Sequence, residues 1–435
     1  MGDTPQPPAE ATDADDGKYA ALTWLLAIAA GAIIFGITLR IPSILCPNDA
    51  SRWSTIWSLV EKHTYVIDGT PWDTIDKVRR DGHDYSSKIP LLPTLLAGEY
   101  WLIRKLAGWT IRDQTPLVCR IIVLTVNVIP LIVYIRLIGR LVGRHVRSRW
   151  WRVYWLIAAA FGTYVTGYSA TLNDHTVGAW SALFAIYSAI RIIYENDRRP
   201  LHFALSGLFA AFTVCNQLPA VFFAAGLFGW MLVNDWRRTL VFFAPAGALP
   251  VIGFLVTTYV STGGFVPYYL MKHTALYNYP GSYWTHPQGT DALNEPKAWY
   301  IFSFLLGHHG FFSLSPIFLP SLATFVFAFR DRAMPMRGFV WFVLGVSLLT
   351  IALNTLETNN YGGGCQGFRY LIWPVPLWIV VGAIGADAYG TPRWVKVLAI
   401  LFLLISVVSM GWAVGNPWTE SWLADLWQHV GWRDY

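Results

Sequence analysis

Charged side chains are scarce in this sequence. Asp, Glu, Lys and Arg together make up 13% of its 435 residues, against 54% hydrophobic and 16% aromatic, and the mean hydropathy is +0.41. So little charge excludes a chain built around one soluble core, because the apolar surface far exceeds what such a core can bury. The 32 basic and 26 acidic residues give a formal charge of +6, which becomes informative only once the basic residues are placed along the chain; nucleic acid is not an expected partner. Cysteine is equally rare. Cys46, Cys119, Cys215 and Cys365 show no CxxC spacing, which argues against a zinc or thioredoxin-type site. A Walker loop and a strand-associated GxGxxG are both missing, so nothing suggests a nucleotide as the immediate donor of a reaction. No internal repeat is visible.

What the chain has instead is long apolar runs. A spanning helix needs about 20 mostly apolar residues, and about eleven stretches qualify: 19–41, 117–138, 151–168, 177–194, 202–215, 218–233, 240–260, 314–329, 339–353, 370–388 and 395–414. The first is too long for a signal-peptide core and has no small-residue cleavage site behind it, so it is expected to stay as an anchor. The run 91–106 is interrupted by Glu99, Arg104 and Lys105. Laying it flat in the interface puts the basic clusters 140–149, 191–199, 237–238, 330–337 and 393–396 on one face, the cytoplasmic one. The expected fold is an all-α polytopic membrane bundle in an inner (cytoplasmic) membrane. Its N-terminus lies inside, with a disordered cytoplasmic tail at 1–18, and a membrane domain covers 19–415. A short outer tail follows at 416–435.

Two large segments then face outward, 42–116 and 261–312. Within the first, Trp53, Ile56, Trp57 and Val60 recur at helical spacing, with Arg52, Thr55, Ser58, Glu61 and Lys62 on the other side. That is the pattern of an amphipathic helix lying on a membrane. Interfacial helices at 50–63 and 91–106 are expected to flank a cavity at the membrane surface.

Polar groups from four separate parts of the chain collect on this outer face. "CPNDASRW" at 46–53 places Asp49 and Arg52 where the chain leaves the bilayer, and Asn48 or Asp49 could equally cap the next helix. "TLNDHT" presents Asp174 and His175, and Asp174 too has a capping alternative. Lys88, in "SSKIPLLP", fits a lipid phosphate as a point charge or snorkels as an anchor. Arg369, in "NYGGGCQGFRY", opens a span from the outer side, against the positive-inside trend, and calls for an anionic partner. Gly362, Gly363 and Gly364 form a flexible turn or let backbone N–H groups approach an anion. The pair His308–His309 reads as ordinary interfacial hydrogen bonding. An outward-facing enzyme has no nucleotide sugar at hand, so its activated substrate arrives on a lipid. A carboxylate, a basic pair and a groove into the lipid are what glycosyl transfer from a polyprenyl-phosphate sugar requires.

At these residues the sequence resembles the integral-membrane glycosyltransferases of the C-type fold, especially the family of protein O-mannosyltransferases and lipid A aminoarabinose transferases. "NDASRWSTIWSLVEKHTYVID" (48–68) is similar to that family's first acidic motif, "SKIPLLP" (87–93) to its "KPPL" element, "SATLNDHTVGAW" (169–180) to its second acidic motif and "GFRYLIWPVPLW" (367–378) to its late "RY…P" element. Two departures stand out: the usual "DE" reads Asn48–Asp49, and the first Pro of "KPPL" is Ile89. The resemblance implies Asp49 as catalytic base or acceptor-orienting carboxylate, with Asp174 shaping or polarising the site. It implies Lys88 and Arg369 as ligands of the donor phosphate, supported by Asn48, Arg52, His175 and Tyr370. It also implies an inverting transfer to a lipid, glycan or protein acceptor on the periplasmic side. The sugar and the acceptor stay open, as does a divalent metal. A transporter or lipid flippase is the main alternative, and a non-catalytic anchoring protein a third; whether Cys46 and Cys365, both on the oxidising face, form a disulfide or stay two separate interfacial thiols is left open.

Overall fold

The computed structural model describes residues 13–432. The first described element is helix α1 (Asp13–Thr38), which begins within the expected tail 1–18; the rest of that tail, 1–12, lies outside the described residues, as do 433–435. After α2 (Pro47–Glu61) comes a hairpin, β1 (Lys77–Arg80) and β2 (His83–Ser86), then α3 (Leu91–Ala107). The bundle continues through α4 (Thr115–Val123), α5 (Ile129–His145), α6 (Arg149–Phe161), α7 (Tyr164–Tyr168), α8 (Asp174–Ile193) and α9 (Pro200–Asn216). Then follow α10 (Val221–Arg238), α11 (Ala244–Thr262), α12 (Lys297–Leu305), α13 (Leu319–Arg330), α14 (Arg337–Glu357), α15 (Val375–Tyr389), α16 (Arg393–Gly415) and α17 (Trp422–His429).

All eleven apolar runs fall on helices, with breaks where local chemistry demands them. The run 151–168 divides after Phe161 into α6 and α7. A π-helical turn, Leu124–Val128, joins α4 to α5 and turns Asn127 inward, where its Nδ2 donates to Thr171 O at 2.6 Å and its Oδ1 accepts from Thr176 at 2.8 Å. Extended backbone at Asp235 separates the apolar part of α10 from the segment leading into α11. Six helical segments among the described residues are long and apolar enough to cross a membrane, one of them this interrupted pair. The chain is an integral multi-pass membrane protein.

The main core lies where α1, α5, α6, α8, α9 and α15 meet, around Trp151, Trp155 and Trp373. At one end the basic clusters are physically tied: Arg144 pairs with Glu195 at 3.0 Å, Arg198 with Asp235 at 3.8 Å, Arg147 N donates to Asp387 at 2.8 Å, and Phe339 N donates to Tyr194 at 3.0 Å. The segment expected to face outward, 42–116, folds at the other end of α1. There α2 packs on α3 over a second core that includes Trp53, Ile56, Leu96 and Tyr100.

Most of the polar side of α2 does not face water, contrary to the amphipathic pattern; Lys62, just past its last turn, is exposed. Arg52, Thr55 and Ser58 are all buried. Ser51 donates to Asp76 O at 2.6 Å, Ser54 to Trp72 O at 3.3 Å and Ser58 to Val66 O, so the hydroxyls satisfy carbonyls of the segment 62–76 that wraps this side. Buried main-chain carbonyls need such donors wherever no ladder supplies them.

Candidate active site

The hairpin was not expected, although its turn is written in the sequence as Asp81–Gly82. Both residues have positive φ, 53° and 83°, which is the two-residue geometry that Asp-Gly favours between antiparallel strands. Register Lys77↔Ser86 leaves Asp76 and Ser87 side by side at the open end, where Ser87 donates to Asp76 O through its N–H at 3.2 Å and its hydroxyl at 3.1 Å. The next residue, Lys88, then reaches back: its Nζ lies 3.0 Å from Asp76 Oδ2.

This end of the hairpin forms one wall of a cavity of about 220 Å³. The first turn of α2 contributes Cys46, Pro47 and Asn48, and the connection after α11 contributes Tyr269, Lys272, Tyr277, Trp284 and Asp291. Asn360, the glycines 362–364, Arg369 and Tyr370 also line the cavity, as does Trp418 from beyond α16. Trp284 is anchored by its indole N–H on Ile75 O at 3.0 Å, and Lys272 sits over the Tyr269 and Trp284 rings at 5.2 and 5.9 Å.

Arg369 is placed by shape and by π contacts. Its guanidinium lies 5.6 Å from the Tyr370 ring and 5.4 Å from the Trp418 ring. Its stem runs along Gly362, whose φ is +105° and where any Cβ would collide with the Arg369 side chain. Glycine is therefore required there twice over, for its backbone angle and for the close approach. Among the described residues no carboxylate pairs with Arg369, and its Nε is buried without a hydrogen-bond partner. Burial, reinforced by the positive Arg52 and Arg369 nearby, pulls the Lys88 ammonium below the usual lysine range despite Asp76.

The acids of the two sequence motifs stand behind this wall. Asp49 is 1% exposed and does not line the cavity; its Oδ2 accepts from Leu45 N at 3.2 Å. Burial, opposed by the Leu45 N–H and by Arg52, pushes its carboxyl up to about 7. Neither Asn48 nor Asp49 caps α2, since the N-cap is Cys46, without a side-chain bond. The cap of α8 is Asn173, which accepts from Thr176 N. Asp174 is thereby released for another task. It pairs with Arg52 at 2.9 Å, and Arg52 Nη1 donates to Asn48 Oδ1 at 2.7 Å, so a chain of three polar groups ends at a cavity-lining amide. His175 contacts Gln217 at 3.2 Å and lies 6.2 Å from the Tyr370 ring.

Other expectations resolve as follows. All four cysteines are free thiols; Cys365 is buried and donates to Tyr361 O at 3.3 Å, while Cys46 faces the cavity. His308 and His309 are buried in an aromatic cluster with Tyr361 and Trp427, and His309 lies 3.2 Å from Glu420. No group of three or more His, Cys, Asp or Glu placed to hold a metal ion occurs among the described residues.

No protein-family model matches the chain, and no curated protein matches its sequence. Among solved structures it is similar to the crystal structure of ArnT from Cupriavidus metallidurans in the apo state, with a TM-score of 0.50 and 13% identity over 87% of this chain and 62% of that one. The chain has the fold of ArnT. The oligosaccharyltransferase of Archaeoglobus fulgidus in the apo form aligns at a TM-score of 0.47 and 12% identity, over 94% of this chain and 57% of that one. The chain thus spans less than two thirds of the length of either structure.

Among the wall residues that sequence reasoning overlooked are Asp76, Tyr269, Lys272, Trp284 and Asp291. The last four come from a connection of short 3₁₀ turns with no periodicity to read. For Asp76 the signal existed in the Asp-Gly turn, which sets the register that brings it beside Lys88.

Proposed function

We propose that the protein is a membrane glycosyltransferase that moves a sugar from a polyprenyl-phosphate donor to an acceptor on the non-cytoplasmic face of the membrane. The observation that carries this reading is the joint exposure of Lys88 and Arg369 to one cavity, with the buried Nε of Arg369 lacking a protein partner. A buried cationic donor without an acceptor is costly unless a ligand completes it. A phosphate does so best, taking the fork of Arg369 and the point charge of Lys88 together.

Roles then divide by position. Lys88 and Arg369 hold the phosphate and stabilise it as a leaving anion. Asp174 fixes Arg52, Arg52 fixes Asn48, and Asn48 meets the reacting groups in the cavity. Asp49, buried behind that turn, sets the charge of the wall rather than touching substrate. His175 and Tyr370 pack beside these groups. The acceptor, whether lipid, glycan or protein, enters between the aromatic residues 269–284 and the glycine turn. Transfer inverts the anomeric centre, because the acceptor attacks from the face opposite the phosphate.

The test is mass spectrometry of lipids and surface glycans from cells with and without the gene. Loss of one sugar from one acceptor, with a polyprenyl-phosphate sugar accumulating, is expected. Unchanged glycans together with an unchanged lipid pool would remove the reading.

A further inference from the structure

Two carboxylates line the cavity, Asp76 and Asp291, and neither belongs to the acidic motifs of the sequence. They are not equivalent. Asp291 has both oxygens engaged by neutral donors, Oδ1 by Asn360 Nδ2 at 3.2 Å and Oδ2 by the Tyr283 hydroxyl at 3.2 Å. Asp76 is held instead by Lys88, the very cation that the proposed donor phosphate would recruit. Its main chain is fixed on every side: the carbonyl accepts from the Ser51 hydroxyl at 2.6 Å and from Ser87, and its N–H donates to the Thr74 hydroxyl at 3.0 Å. The Thr74 hydroxyl in turn donates to Pro47 O at 2.7 Å, in the turn that presents Asn48. The carboxylate therefore stands on a rigid base beside Asn48, while its partner sits at the end of a flexible four-carbon stem.

We infer, resting on the glycosyl-transfer reading, that Asp76 is the carboxylate that takes the acceptor's proton, and that its pairing with Lys88 keeps it occupied until donor binds. Arrival of the phosphate draws the Lys88 ammonium from Asp76 and leaves the carboxylate free and negative, facing the acceptor. The acceptor oxygen or nitrogen then forms its bond to the anomeric carbon as the bond from that carbon to the phosphate oxygen breaks. The electron pair leaves with the phosphate, whose charge Lys88 and Arg369 neutralise, and the acceptor proton goes to Asp76. No further reactant is needed. The arrangement couples access to the carboxylate to donor occupancy, so an acceptor entering an empty site meets a carboxylate already in an ion pair.

The experiment uses the full-length protein and two readouts. Purified protein is titrated with undecaprenyl phosphate, and the same variants are expressed in cells lacking the gene, where accumulated polyprenyl-phosphate sugar reports transfer. Asp76→Asn is expected to bind undecaprenyl phosphate at least as tightly as wild type, because Lys88 loses its competitor. Its transfer should fall by roughly 100-fold or more, the scale of a missing general base. Asp76→Glu should recover part of that transfer, and phosphate binding by Asp76→Asn shows that the variant has folded. Wild-type transfer by Asp76→Asn would overturn the inference alone, and so would loss of phosphate binding as severe as in Lys88→Ala, which would make Asp76 a support for Lys88 only. Failure of the wild-type protein to bind undecaprenyl phosphate would instead remove the donor reading and this inference with it.

Discussion

Arg52 and Asp174 meet at 2.9 Å and fasten α2 to the start of α8, with side-chain exposures of 4% and 20%. Removing one member leaves an uncompensated buried charge, which costs about 3–5 kcal/mol. Arg52→Ala and Asp174→Ala should each lower the thermal midpoint of the purified protein, and an apolar replacement of both should recover part of the loss. Single variants as stable as wild type would show that the pair holds nothing together.

Asp49 supplies a pH dependence. Its folded carboxyl titrates near 7 because of burial, so the folded state holds that proton more tightly than the unfolded chain does. The sign follows: wild-type stability falls as pH rises from the ordinary carboxylate range through about 7, by at most roughly 4 kcal/mol at full ionisation. Asp49→Asn is expected to melt above wild type at pH 8, with the gap narrowing toward pH 5. A gap that is constant across this window would rule out a raised Asp49.

Phosphate binding should depend on shape as well as charge. Lys88→Ala and Arg369→Ala should each raise the apparent KM for donor, more than tenfold for the charge-assisted contacts of Arg369. Gly362→Ala should reproduce the Arg369 defect without touching a charge, since its Cβ takes the space of the Arg369 stem. Unaltered donor dependence in all three variants would locate the phosphate elsewhere.

The thiols differ in access. Cys46 lines the cavity and Cys365 is fully buried. Alkylation of the folded, unreduced protein should modify Cys46 and spare Cys365 until denaturant is added. A linked Cys46–Cys365 peptide in non-reducing mapping would contradict the free thiols.

Membrane orientation can be read by accessibility. Single cysteines at His83 and Gln114 should label from one side of the membrane and one at Arg144 from the other. Labelling of positions 114 and 144 from the same side would overturn the placement of α3 in the interface.

The spans were legible because apolar runs of sufficient length have one economical fate in a bilayer. Lys88, Arg369, Asn48 and Tyr370 were legible as well, since charged and polar groups beside apolar runs are conspicuous. What could not be read was direction. The hydroxyls and Arg52 of α2 look like a water-facing stripe, and only the three-dimensional path of 62–76 turns them into donors for buried carbonyls. For the same reason Asp49, the most conspicuous acid in the sequence, stands behind the wall, whereas Asp76, flanked by ordinary loop residues, stands in it.

Trp418 lines the cavity from beyond α16, and the connection that carries it is stitched to the glycine turn, where Gln366 N donates to Pro417 O at 3.0 Å and Gln366 Nε2 to Glu420 O at 2.6 Å. During synthesis the cavity must therefore stay open at this side until α16 has been delivered to the membrane. A ribosome stalled before that point holds a chain whose earlier helices are all made and whose cation cradle is unfinished, with Arg369 lacking one of its two aromatic walls. Completion of the cavity in this protein is thus a late event of biogenesis, following assembly of the bundle around it.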